Sequence, residues 1–225
     1  MESEIYFYDE RNPFTYNNRM GKYKKEKEIH FIKEFCSNNK FNILDVGGGC
    51  GRISLPLHNL GHKLVMLEPN RAGVEIAMKN GINSICNNIF EFDTSDKFDM
   101  VILIEVFDLI PNKEELLIKI HSLLKINGFF LFTYNNNKSW RRFLQKVIRF
   151  NYITDHFYLS NNEVSELLIR NKFKIQDRQG FHWIPFRVNS NNILISLFIR
   201  FERILQLSKW ISQSPFIFIA SQKLS

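Results

Sequence analysis

The sequence predicts an α/β domain built on a mostly parallel sheet with helices on both faces. Three observations carry that prediction. Short apolar runs alternate with helix-like stretches from residue 41 onward, the order that right-handed βαβ crossovers produce. The stretch "FDMVILIEVF", residues 98–107, is apolar almost throughout, as a parallel strand covered on both faces must be. The first apolar run, "FNILDV", leads into Gly47, Gly48, Gly49 and Gly51, and glycine there lets backbone approach a ligand without a Cβ in the way.

Taken in order, residues 1–20 are aromatic and irregular, with Tyr6, Phe7, Tyr8, Phe14 and Tyr16. A helix is expected from about Lys22 to Ser37, with Ile29, Ile32 and Phe35 on one face. Strand 41–46 follows, then the glycine loop and a helix to about Leu60 that stops at Gly61. "KLVMLE" (63–68) reads as a strand ended by Pro69, Arg71 to about Asn80 as a helix, and 82–88 as a weak strand. Strand 98–107 precedes a helix over 112–125, and Asn127-Gly128 turns into strand "FFLFTYN". Beyond Asn135 the pattern changes. "WRRFLQKVIRF" (140–150) reads as a basic amphipathic helix, 161–171 as a second, and 191–211 as a third, long one. Strands are expected over 172–179 and 216–220, which makes the sheet doubly wound and seven-stranded. The extra helices would lie beyond the carboxyl ends of the strands, where such sheets bind ligands.

Composition narrows the function classes. The chain has 225 residues, 44% apolar and 24% charged, which suits one packed domain with a cap. We expect a single domain over 1–225, with an N-terminal lid at 1–37 and helical insertions at 136–160 and 185–212 on the acceptor side. The formal charge of +7 favours acidic partners only weakly, because the cations are scattered and form no nucleic-acid arm. Cys36, Cys50 and Cys86 make no C-x-x-C pair, so neither a zinc site nor a disulfide framework is expected. The acidic N-terminus lacks an apolar signal core, and no run spans a membrane, so the expected compartment is the cytoplasm.

The glycines exclude one ligand class. The dinucleotide fingerprint G-x-G-x-x-G needs its third glycine at position 52 or 54. Those positions hold Arg52 and Ser54. What is present is G-x-G-x-G, Gly47, Gly49 and Gly51, two residues after Asp45.

"ILDVGGGCGRIS" resembles the first motif of the class I S-adenosylmethionine-dependent methyltransferases. Further segments agree in order: Glu68 closing the second strand, "FDMVILIEVFDLIPN", "LLKINGFFLFTYNN", and "DHFYLSNNEVSELLIRNKFKI", in which Lys172 replaces a usual glycine. The resemblance covers about residues 20–180 and implies a Rossmann-like methyltransferase fold that binds S-adenosyl-L-methionine. It implies that Gly47, Gly49 and Gly51 face the cofactor, that Glu68 holds two ribose hydroxyls, and that Asp45 faces the methionine end unless it caps the following helix. Asn88, or Asn87, would meet the adenine amino group, with Ile89 or Phe90 beside the ring. Glu105 is either cofactor-facing or structural, and Arg19 either pairs with the cofactor carboxylate or is solvated. Asp108 and Leu109 stand where many relatives carry Glu-His.

Methyl transfer is a displacement in which the protein supplies orientation and a dry site. A hydroxyl acceptor benefits from a general base. His156 is the first candidate and His182, in "FHWIPF", the second. Phe143, Phe150, Phe157, Tyr158, Trp183 and Phe186 are candidates for an apolar acceptor pocket. Arg141, Arg142 and Arg149 could hold an anion or meet anionic lipid. The expected activity is O- or N-methylation of a small molecule, such as a sugar, lipid or natural-product intermediate. An RNA or protein methyltransferase and a non-catalytic cofactor-binding homologue are the alternatives. Nucleic acid is not an expected partner, no metal site is expected, and contact with a membrane surface stays open.

Overall fold

A computed structural model describes residues 17–36, 39–147, 157–186 and 189–224. The described elements are α1 (Arg19–Cys36), β1 (Asn42–Val46), α2 (Ser54–Asn59), β2 (Lys63–Glu68), α3 (Arg71–Lys79), β3 (Ser84–Cys86), β4 (Phe98–Leu103), α4 (Lys113–Leu123), β5 (Leu124–Asn135), α5 (Trp140–Val147), α6 (Asn161–Arg170), β6 (Phe173–Phe181), α7 (Ile195–Ile204) and β7 (Phe216–Lys223). The seven strands form one sheet in the order β3-β2-β1-β4-β5-β7-β6. Pairing is parallel from β3 through β5, and β7 runs antiparallel to both β5 and β6. The sheet is therefore doubly wound and mostly parallel, as the sequence predicts.

Alternation along the strands sends side chains to two cores. Ile43, Met100, Ile102 and Leu131 pack on one face with Phe31 and Ile32 of α1, Leu57 of α2 and Ala77 of α3. Leu44, Val101, Leu103, Phe130 and Phe132 pack on the other with Leu116 and Ile120 of α4 and Val164 and Leu168 of α6. Phenylalanines thread both cores, with Phe181 stacked on Phe218 at 4.0 Å and Phe130 on Phe132 at 4.6 Å. A smaller cluster of Met20, Tyr23, Ile184 and Ile195 joins α1, the segment after β6 and α7.

Several expected boundaries move. Strand 98–107 ends at Leu103, because Glu105 takes a left-handed backbone with φ +64° and a 3₁₀ turn follows at Phe107–Leu109. The helix expected over 191–211 is ten residues long, Ile195–Ile204. Gln206, at φ +49°, stops it, and two 3₁₀ turns replace the rest. Lys172 is also left-handed, with φ +61°, a conformation that glycine adopts without strain. Of the expected helix 140–150, residues 148–150 lie outside the described residues, as does all of 1–16.

Candidate cofactor site

The site forms where the loops after β1, β2, β3 and β4 meet. Gly47, Gly49 and Gly51 all have positive φ, +73°, +59° and +84°. At Gly47 the requirement is double, since a Cβ would also lie 2.5 Å from Val106 Cγ2. The loop is held by its own backbone: Gly47 N–H donates to Leu67 O at 2.7 Å, and Gly51 N–H to Gly48 O at 2.9 Å. Glu68 is buried at the end of β2. Its carboxylate accepts from Gly49 N–H and from Asn70 N–H, both at 2.9 Å. The first and second loops are thus joined through the carboxylate predicted to hold the ribose.

Asp45 is buried at the end of β1 and accepts from Ser54 Oγ at 2.6 Å, at the start of α2. Burial pushes its carboxyl up to about 6. After β3, Asn88 Oδ1 accepts from Phe90 N–H at 2.7 Å and from Glu91 N–H at 3.4 Å, which fixes a turn. Ile89 is packed in the core beside Leu67 and Phe92, whereas Phe90 is exposed.

Glu105 sits in a cluster of four charges. Its carboxylate meets Lys24 Nζ of α1 and Arg52 Nη2, the latter at 3.0 Å. Arg52 Nη1 also meets Glu28 of α1. Lys24 is 3% exposed and Glu28 is fully buried, and burial raises the Glu28 pKa against the pull of Arg52. Two opposed pairs of charges make such burial tolerable. A signal for it exists in the sequence: the buried stripe 20-24-28-32-36 of α1 passes through two charged residues. Arg19 stands apart, exposed at the start of α1, with its N–H on Asn191 Oδ1. The α1 cation that reaches the cluster is Lys24.

His156 lies outside the described residues, as do Phe150 and Arg149. His182 is 5% exposed and left-handed at φ +64°. Its ring stacks on Phe216 at 5.0 Å, and Lys24 Nζ lies 4.5 Å from the centre of the same Phe216 ring. Nε2 contacts Phe186 O at 3.3 Å, and Nδ1 has no hydrogen-bond partner among the described residues. Burial, reinforced by Arg141 and Lys24, pulls the imidazole down to about 3, so it is neutral. The arginines of α5 face inward: Arg141 donates to Ile184 O at 2.7 Å and His182 O at 3.2 Å, and Arg142 lies over Tyr158 at 4.1 Å. Asp108 accepts from Asn135 N and Nδ2 and so ties the β4 loop to the end of β5. Of the candidate pocket aromatics, Phe143 and Phe157 are exposed, while Tyr158, Trp183 and Phe186 are half-buried.

The chain is similar in sequence and in fold to known methyltransferases. Ubiquinone biosynthesis O-methyltransferases are similar in sequence: that of Rickettsia conorii is 27% identical over 72% of this chain and 61% of its own, and that of Bradyrhizobium diazoefficiens 23% over 64% and 62%. The chain thus spans about three fifths of the length of these curated relatives. In structure, the N-methyltransferase NodS from Bradyrhizobium japonicum, solved with S-adenosyl-L-homocysteine, superposes with a TM-score of 0.66 at 12% identity, covering 100% of this chain and 97% of that one. The 1,6-didemethyltoxoflavin-N1-methyltransferase of Burkholderia thailandensis gives 0.66 at 15% identity, covering 100% and 87%. At these identities the structural likeness is one of fold. Residues 14–202 match the family described as a methyltransferase domain, and the chain belongs to that family.

Proposed function

We propose that this protein binds S-adenosyl-L-methionine in the glycine-lined cradle and transfers its methyl group to a hydroxyl of a small, apolar molecule. The observation that carries the reading is the junction of Gly49 with Glu68: a loop kept free of Cβ atoms opens beside a buried carboxylate. When bound, the cofactor supplies an electrophilic methyl group on a sulfonium. Gly47, Gly49 and Gly51 would admit its backbone-close part, Glu68 its ribose hydroxyls, and Asn88 with Ile89 its adenine. Asp45 and Glu105 would face its methionine end. Lys24, rather than Arg19, is the cation this reading assigns to the cofactor carboxylate.

On the acceptor side the reading uses His182 in place of His156. If Nε2–H donates to Phe186 O, the lone pair is on Nδ1. A neutral imidazole of such low basicity is a poor general base, and with Nδ1 buried the reading gives His182 a positioning role in the acceptor wall. The cap of α1, residues 182–186 and α7 would exclude water. The names of the sequence relatives favour oxygen as the acceptor atom. No helix among the described residues is long and apolar enough to cross a membrane. The reading places the reaction in the cytoplasm, where the free Cys36, Cys50 and Cys86 stay reduced. Membrane contact through the arginines of helix 140–150 is not part of it, because Arg141 and Arg142 are engaged within the protein.

The test is calorimetric titration with S-adenosylhomocysteine, with NADH alongside. Micromolar binding of the first and none of the second is expected, followed by acceptor screening through released S-adenosylhomocysteine. Preferential NADH binding overturns the reading.

A further inference from the structure

We infer that the outer face of α7 docks the protein onto an anionic lipid bilayer. This goes beyond the proposed activity and does not rest on it. The inner face of α7 is accounted for: Ile195, Phe198 and Ile199 pack on Met20, Tyr23 and Ile184, and Glu202 accepts from the Tyr23 hydroxyl. The outer face carries Leu194, Leu197, Phe201, Ile204 and Leu205, which are 48%, 49%, 49%, 64% and 57% exposed. With 100° between successive residues, these five fall within an arc of about 100°. A contiguous apolar stripe of that kind on a soluble domain marks a partner surface.

Charge selects the partner. Arg200 is exposed beside the stripe, Arg203 is exposed on the far flank of the helix, and Lys209 is exposed in the turn that follows. Over residues 189–213 the one carboxylate is Glu202, and it is turned inward and 4% exposed. Among the described residues of this segment, the outer face therefore offers apolar side chains and cations with no exposed carboxylate. A second copy of the chain would bring guanidinium against guanidinium. A bilayer supplies phosphate to the cations and acyl chains to the stripe. Trp210, 61% exposed just past the helix, is the residue type that settles at the headgroup level. The position is also apt: Phe216, which follows this segment, pairs with Asn135 at the carboxyl end of β5. The segment thus leads into the sheet at the carboxyl end of β5, the end at which the strands β1 and β4 also open into their loops.

The experiment is co-sedimentation of the whole protein with phosphatidylcholine vesicles, with and without phosphatidylglycerol, in the absence of cofactor. Binding is expected with the anionic vesicles and to weaken with salt. Leu197→Ser with Phe201→Ser should reduce partitioning at least about tenfold. Arg200→Gln should reduce it about fivefold on anionic vesicles and leave neutral vesicles unaffected. Both variants should keep the parent melting temperature and S-adenosylhomocysteine affinity, because these side chains touch neither core nor cradle. No binding to anionic vesicles, or a serine variant that partitions like the parent, overturns the inference. So does a concentration-dependent dimer in light scattering that the serine variant abolishes, which would assign the face to a second copy. Loss of cofactor affinity with lipid binding intact would instead count against the proposed activity alone.

Discussion

Around Gly47–Gly51 the chain is held by its backbone. Amides of the loop donate to Leu67 O, Gly48 O and Glu68, and left-handed glycines set its path. The cap of α1, residues 182–186 and α7 is held by side chains. Lys24 and Glu28 of α1 meet Glu105 and Arg52, Tyr23 meets Glu202 of α7, and Arg141 of α5 meets the carbonyls of 182–184. The loop is local, joining residues about twenty apart in the chain. The cap joins residues 81 and 179 apart, in Lys24–Glu105 and Tyr23–Glu202. Backbone-held structure tolerates any side chain that fits its φ and space, whereas a buried charge network fails when one member is lost.

That contrast is broken most directly at Arg52. Arg52→Met leaves Glu28 and Glu105 in low dielectric without their guanidinium. Urea unfolding should show a loss of about 3 kcal/mol, most of it regained in the Arg52→Met/Glu28→Met double variant. A loss below about 1 kcal/mol would mean that the charges do not hold the cap. Next in size, Glu68→Ala should weaken S-adenosylhomocysteine binding by about 2 kcal/mol in calorimetry, with two charge-assisted bonds removed. Unchanged affinity would remove Glu68 from the ribose.

The two regions should also respond oppositely to pH. Asp45, in the loop region, keeps its proton to about 6 against the usual 3.8, so the folded protein binds more protons than the unfolded chain between those values. This group lowers stability as pH rises through that window. His182, in the cap, is pulled from 6.5 to about 3. Here the unfolded chain binds the extra proton, so stability is present above 6.5 and lost as pH falls toward 3. Each group contributes at most about 1.4 kcal/mol per pH unit. Between about pH 4 and 6, Asp45→Asn should therefore make stability rise more steeply with pH, and His182→Gln should flatten the rise. Identical pH slopes in the two variants would erase the distinction. The smallest effect is a control outside both regions. Ser160 and Glu163 form a reciprocal cap on α6. Ser160→Ala should cost about 1 kcal/mol of stability and leave cofactor affinity unchanged.

Much of this molecule is legible along the chain. The strand-helix alternation, the order of the motifs, the glycines with their exclusion of a dinucleotide register, and Glu68 closing β2 are local patterns, set by periodicity of 2 or 3.6 and by the φ that glycine permits. The misplaced boundaries also have local causes that apolar patterning does not express: Glu105 and Gln206 adopt left-handed backbone inside runs whose composition reads as continuous strand and helix. What only the tertiary structure decided is which charges are buried and what they meet. Arg52 reads in sequence as a residue that spoils a fingerprint, and in the fold it bridges Glu28 and Glu105. Arg19 and Lys24 are alike as cations on one helix, yet one faces solvent and the other the cluster. The arginines of α5 turn inward while those of α7 stay out. Burial of a charge depends on a partner supplied from a distant part of the chain, and no pattern within one segment records that partner.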